Sequence, residues 1–252
     1  MPHLTRTRTA PATAPATDMS AVQKRTLTVL VVSQVLSGVG LAAGVTVAGL
    51  LAGQMLHNTS LSGLPIALLT AGSAGAAVVI GRVSQRLGRR PGLAAGYLTG
   101  ALGGAGVVAA AALTSPALLL ISLFLYGAGT TSNLQARYAG ADLAAPRQRA
   151  RATSTVIVAT TAGGIAGPLL ATPAGHLATA LHLPALTGLF LLSTAAFTLA
   201  ALTLLVWLRP DPLRLARTLP TASDEAAPAD SPSRSGPRLL IGVTVLVLSQ
   251  LV

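Results

Sequence analysis

The densest set of chemistry-bearing side chains lies in residues 81–91, Gly81-Arg82-Val83-Ser84-Gln85-Arg86-Leu87-Gly88-Arg89-Arg90-Pro91. Four guanidiniums with no carboxylate among them can bind anions or form ion pairs. They cannot by themselves serve as acid or base, because arginine keeps its proton at any ordinary pH. A second set surrounds Asp142, with Arg137 before it and Arg147, Arg149 and Arg151 after it. Within the apolar stretches the polar groups are few: Gln34, Tyr126, Asn133, Gln135, Thr160 and Thr161. Catalysis needs convergent His, Asp, Glu, Ser or Cys, and the sequence clusters none of these inside its apolar segments. Cysteine is absent, and His57, His176 and His182 show no metal-ligand spacing. The residue types therefore point to binding and gating, with no enzyme, metal or cofactor implied.

The elements that must hold these residues follow from composition. Of 252 residues only 9% are charged, against about 25% in an average soluble protein, and mean hydropathy is +0.68. Such a chain lacks the charge to cover a water-facing surface. A net charge of +11 would suggest nucleic acid in a soluble protein, but three Phe, three Tyr and one Trp leave little to stack on bases. Nucleic acid is excluded as a partner on that ground. A spanning helix needs about 20 mostly apolar residues. Six stretches qualify, near 26–54, 64–81, 92–113, 117–138, 152–173 and 184–208, and a seventh apolar run occupies 239–252. At 1.5 Å per residue that last run reaches only about 21 Å, short of a hydrocarbon core of about 30 Å. The reading is an all-α membrane protein, a six-helix transmembrane bundle with a truncated seventh helix. Its divisions are a disordered tail (1–21), the bundle (22–208), a Pro-, Ser- and Arg-rich linker (209–238) and the start of the seventh helix (239–252).

The basic residues give the orientation. Arg6, Arg8, Lys24 and Arg25 precede the first stretch, and Arg82, Arg86, Arg89 and Arg90 join the second to the third. Arg137, Arg147, Arg149 and Arg151 surround the fourth-to-fifth connection, and Arg209, Arg214, Arg217, Arg234 and Arg238 follow the sixth. Alternate connections hold every basic residue. The positive-inside rule then places the N-terminus and the linker in the cytoplasm of a multi-pass cell-membrane protein.

Small residues recur every fourth position, as in Gly92, Gly96, Gly100 and Gly104, or Ala159, Gly163, Gly167, Ala171 and Gly175. In lipid such stripes let helix backbones approach and are the main packing device. Gln34 has two readings, a hydrogen bond between helices or a substrate contact from a cavity wall, and Tyr126 and Asn133 are further cavity-lining candidates. Asn133, Gln135 and Arg137 also lie close enough to the membrane surface for interfacial solvation to explain them.

The 81–91 stretch resembles the signature loop of the major facilitator superfamily, Gly-x-Leu-x-Asp-Arg-x-Gly-Arg-Arg/Lys. Gly81, Arg86, Gly88, Arg89 and Arg90 match, Val83 replaces Leu, and Gln85 stands where the family has Asp. Gly163-Gly164-Ile165-Ala166-Gly167-Pro168 resembles the Gly-x-x-x-Gly-Pro element of antiporter-type members, without its trailing Gly-Gly. Leu123 stands where proton-linked members often carry Arg, ahead of Tyr126-Gly127-Ala128-Gly129. The stretch from Asn133 to Tyr138, followed by Asp142 and the arginine cluster, is similar to the helix-four exit of bacterial drug-efflux-like members.

The resemblance implies a 3+3 inverted repeat that forms the N-terminal half of a two-bundle transporter. The substrate site would face a C-terminal bundle absent from this sequence. It further implies secondary active efflux of a small organic solute by alternating access, with a proton as candidate coupling ion and the lipid bilayer as surroundings. The alternative is a non-transporting sensor or scaffold reusing the bundle. Finally, it implies that Arg89, four positions after the signature acidic site, pairs with Asp142 as gating partner, in competition with local pairing to Arg147 or Arg149.

Overall fold

The computed structural model describes residues 16–56 and 63–218. The spanning helices are α1 (Ala16–Leu56), α2 (Leu64–Leu87), α3 (Arg89–Ala112), α4 (Pro116–Ala141), α5 (Arg149–Leu169) and α7 (Gly188–Trp207). Two shorter helices, α6 (Ala171–Ala180) and α8 (Pro212–Thr218), follow α5 and α7. Among the described residues six helices are long and apolar enough to cross a membrane.

Several expected boundaries move, each for a local reason. Helix α1 starts at Ala16, inside the tail expected over 1–21. The prolines of that tail end at Pro15, so nothing between Ala16 and Ala21 opposes a helix. The 81–91 segment is helical except at Gly88, because Arg, Gln and Leu are good helix formers. The linker expected over 209–238 opens with α8, and its remainder and the proposed seventh helix lie outside the described residues. The fifth span runs from Arg149 and breaks at Leu170. Pro168 has no N–H to give the Gly164 carbonyl, and the Leu170 N–H is shared between Ala166 and Gly167 at 3.2 and 3.1 Å. The chain resumes as α6 with Pro173 in its first turn, where a missing N–H leaves no bond unmade.

Helix α1 packs against α5 and α7, as α4 packs against α2 and α3, while α3 also meets α7. Exchanging the first three spans with the last three preserves this pattern, which is the arrangement of a 3+3 repeat. Glycines at equivalent places make it possible. A Cβ on Gly38 or Gly163 would strike backbone across the α1–α5 contact, and one on Gly72 or Gly127 would do so across α2–α4. The core holds Tyr97, Tyr126, Phe190 and Phe197, all fully buried. The ring centroids of Phe197 and Tyr126 lie 5.3 Å apart, and Gly40 and Gly129 leave the room that Phe197 fills. Coverage is uneven: 17% of the apolar window of α2 and 28% of that of α5 are buried, against 62% for α1.

Candidate functional site

Helices α2 and α3 meet at one residue, Gly88, with φ of +100°. That backbone conformation suits glycine alone, and a Cβ there would also strike the carboxylate of Asp211. The hinge sends Arg89 toward the end of α4. Arg89 Nε donates to Asp142 Oδ2 at 2.9 Å and Nη2 to Oδ1 at 3.4 Å, so the two planar groups meet by both edges. The side chains are 18% and 15% exposed, which removes most of the solvent screening an exposed pair suffers. Asp142 caps the C-terminal end of α4, where a carboxylate faces the negative end of the helix dipole. The guanidinium compensates it. Arg149, a competing local partner, instead donates to the Ala144 carbonyl at 3.3 Å.

Asp211 is the functional candidate that sequence reasoning missed. Its Oδ1 accepts from the Arg89 backbone N–H at 3.1 Å and its Oδ2 from that of Arg90 at 2.7 Å. Oδ1 also accepts from Leu213 and Arg214 at the start of α8, at 3.0 and 3.2 Å. One carboxylate thus caps two helices and ties the exit of the sixth span to the hinge. The Arg90 guanidinium donates to the Leu205 carbonyl, and Arg217 Nη1 donates to the Gln85 carbonyl at 2.8 Å. Asp211 before Pro212 is readable as a local cap, but nothing local announces its grip on α3.

The cavity-lining candidates are placed differently from the expectation. Gln34, Tyr126 and Asn133 are buried inside the bundle, 0%, 0% and 1% exposed. Gln34 is satisfied at both ends. Its Oε1 accepts from Tyr97 at 2.6 Å, Ser37 at 3.2 Å and Asn133 at 3.4 Å. Its Nε2 donates to Thr160 Oγ1 at 2.9 Å and to the Asn133 carbonyl at 3.2 Å. Tyr126 donates to the Gly40 carbonyl at 2.6 Å and lies 3.0 Å from Ser193 Oγ. A buried amide left unpaired is costly, and across five helices these groups find each other instead of a cavity. Of the two readings of Gln34, the structure shows the hydrogen bond between helices.

The remaining sequence candidates divide. Gln85 and Arg86 are exposed, and their side chains make no hydrogen bond among the described residues. Gly81 has open space where a Cβ would stand. Gly163 and Gly167 face α1 closely, and Pro168 precedes the break at Leu170. Gln135 donates to the Ala77 carbonyl at 3.3 Å, and Leu123 is wholly buried. The bonds Gln23–Gly140, Arg89–Asp142 and Arg217–Gln85 gather the start of α1, the hinge, the end of α4 and α8 at one end of the bundle. That end carries the basic connections.

The chain matches the family model of the Major Facilitator Superfamily over residues 30–251. It is 50% identical over 239 residues to an uncharacterized MFS-type transporter of Bacillus subtilis (strain 168), YdeG, covering 92% of this chain and 55% of the relative. A second protein of that organism, the uncharacterized MFS-type transporter YddS, is 45% identical over 235 residues, with 91% and 54% covered. The riboflavin transporter RfnT of Brucella anthropi is 31% identical over 156 residues, 61% of this chain and 38% of that protein. The chain spans about half the length of the first two of these curated relatives.

Proposed function

The chain belongs to the Major Facilitator Superfamily, and on that premise we propose that it acts in secondary active transport of a small organic solute, as an efflux carrier. The observation that carries this reading is the clasp at the basic end. The junction at Gly88 is held by Asp211, through the backbone N–H groups of Arg89 and Arg90, and by Asp142, through the Arg89 guanidinium. Three helix ends, those of α3, α4 and α8, converge on one hinge residue. Two carboxylates, Asp142 and Asp211, hold it, and both must release for it to open. In this reading the clasp is made in one state of the transport cycle and broken in the other, the kind of bistable contact that alternating access needs.

In this reading the basic end is cytoplasmic, in the cell membrane, and the clasp holds the cytoplasm-closed state. A second bundle, as the length of the relatives suggests, would lie against α2 and α5, the least covered of the spanning helices. The solute site would form between the two bundles, since the polar groups inside this one are already paired with each other. A proton is the candidate coupling ion. The test compares a deletion strain with one expressing the gene in an export and drug-susceptibility screen. Solute accumulation in the deletion strain, reversed by expression, supports efflux. Equal profiles in both strains would favour a sensor or scaffold.

A further inference from the structure

A cavity of about 560 Å3 opens at the basic end between the start of α1, the connection from α4 and the start of α5. Its polar lining is Gln23, Lys24, Gln148, Arg151 and Thr155, its apolar lining includes Leu27 and Leu143, and no carboxylate lines it. Lys24 and Arg151 are exposed, and neither charged group has a partner among the described residues. Gln23 is only 8% exposed. Its Nε2 donates to the Gly140 carbonyl at 3.1 Å, which fixes the amide, since a flip would set two oxygens together. Its Oε1 is consequently buried with no hydrogen-bond partner. Helix α5 begins alongside with no side-chain cap and no acidic residue in its first turn, so no charge opposes its positive dipole end, although the Ala145 carbonyl accepts from the Gln148 and Arg149 N–H groups.

These features ask for two things at once. Two cations beside a helix start that carries no acidic residue call for an anion, and a buried amide oxygen calls for a donor. A phosphodiester with a hydroxyl-bearing headgroup supplies both. Leu27 and Leu143, at the ends of membrane-spanning segments, favour a lipid over a soluble ester as its source. We propose that this cavity binds the headgroup of phosphatidylglycerol, its phosphate between Lys24 and Arg151 and a headgroup hydroxyl donating to Gln23 Oε1. The site is separate from the clasp and stands whether or not the transport reading does.

The test is native mass spectrometry of the 252-residue chain, released from detergent containing dioleoyl phosphatidylglycerol, phosphatidylmethanol or phosphatidylcholine. Phosphatidylglycerol should be retained in preference to phosphatidylcholine, whose headgroup has no donor. Lys24→Ala and Arg151→Ala should each weaken retention about tenfold, as loss of one direct hydrogen bond to a charged group does. Arg25→Ala, exposed and outside the cavity, loses no such contact and should weaken retention less than about fivefold, the share of general surface attraction. Gln23→Leu should lower phosphatidylglycerol retention and leave phosphatidylmethanol, an anionic phosphodiester with no hydroxyl, unchanged. Retained phosphatidylmethanol also reports that this variant is folded. Equal losses for Arg25→Ala and Lys24→Ala would reduce the effect to general surface attraction, and equal losses of both lipids in Gln23→Leu would remove the amide from recognition. Either result overturns the site. Displacement by soluble glycerophosphoglycerol at matched concentration would overturn its assignment to a lipid.

Discussion

Gly88 and Gly81 both belong to the family signature, yet their surroundings demand opposite outcomes from the same substitution. Gly88→Ala must hold a side chain at φ of +100° and push against Asp211, which should cost about 1–3 kcal/mol. Gly81→Ala meets nothing and sits within a helix, so it should be neutral or stabilising by about 0.5–1 kcal/mol. Thermal unfolding of both variants in detergent checks the contrast, and equal shifts would deny Gly88 its hinge role. The Arg89–Asp142 pair carries a second expectation. Loss of one partner removes two charge-assisted bonds, about 1.5–3 kcal/mol at this coverage, and should lower transport as well as stability. Arg89→Asp combined with Asp142→Arg should restore transport lost by either change alone; absence of rescue would mean that the pair is structural only. This pair was legible in the sequence because the resemblance names both residues. Asp211 was not, because its distant partners are backbone N–H groups, which every residue but proline possesses.

At the scale of helices, a period of four in small residues announced close packing but not which glycines would use it. In α1 a Cβ on Gly38 would meet α5, whereas one on Gly49 or Gly53 would meet nothing. The difference depends on which face of each helix a neighbour covers, and that is settled by the whole bundle rather than by a stripe. Adjacent glycines in α5 give a clean test. A Cβ on Gly163 would strike the Val35 carbonyl, while one on Gly164 has open space. Gly163→Ala should destabilise by about 1–3 kcal/mol, as overpacking does, and Gly164→Ala should be neutral or slightly stabilising. Denaturation of the two variants side by side, with helicity followed by circular dichroism, measures this. If Gly163→Ala were as stable as Gly164→Ala, the α1–α5 contact would be looser than described. Helix boundaries were the least legible feature, since arginines that mark a membrane surface are equally good helix formers. Gly88 is consequently the only residue between Leu64 and Ala112 outside a helix.

The six-span all-α architecture of the described residues was readable because it rests on two long-range regularities, apolar length and the alternation of basic residues. The polar interior was not readable, since Gln34, Asn133 and Tyr97 come from three helices and their mutual pairing exists only once the bundle forms. Orientation is the remaining expectation at this scale. Every Lys and Arg lies at alternate connections, and among the described residues the contacts of the start of α1, the hinge, the end of α4 and α8 gather these connections at one end. A basic residue at a helix centre is charged about 2.5–3.5 kcal/mol on insertion, and the retention of positive loops on the cytoplasmic side orients the whole bundle. The chain has no native cysteine, so single replacements report one position each. In intact cells Thr59→Cys should react with a membrane-impermeant maleimide, and Ala222→Cys should react only after permeabilisation. The opposite pattern would reverse the orientation and put the Gly88 clasp on the outer face. Labelling of both in intact cells would require an even number of crossings between residues 59 and 222, against the five spans that lie between them.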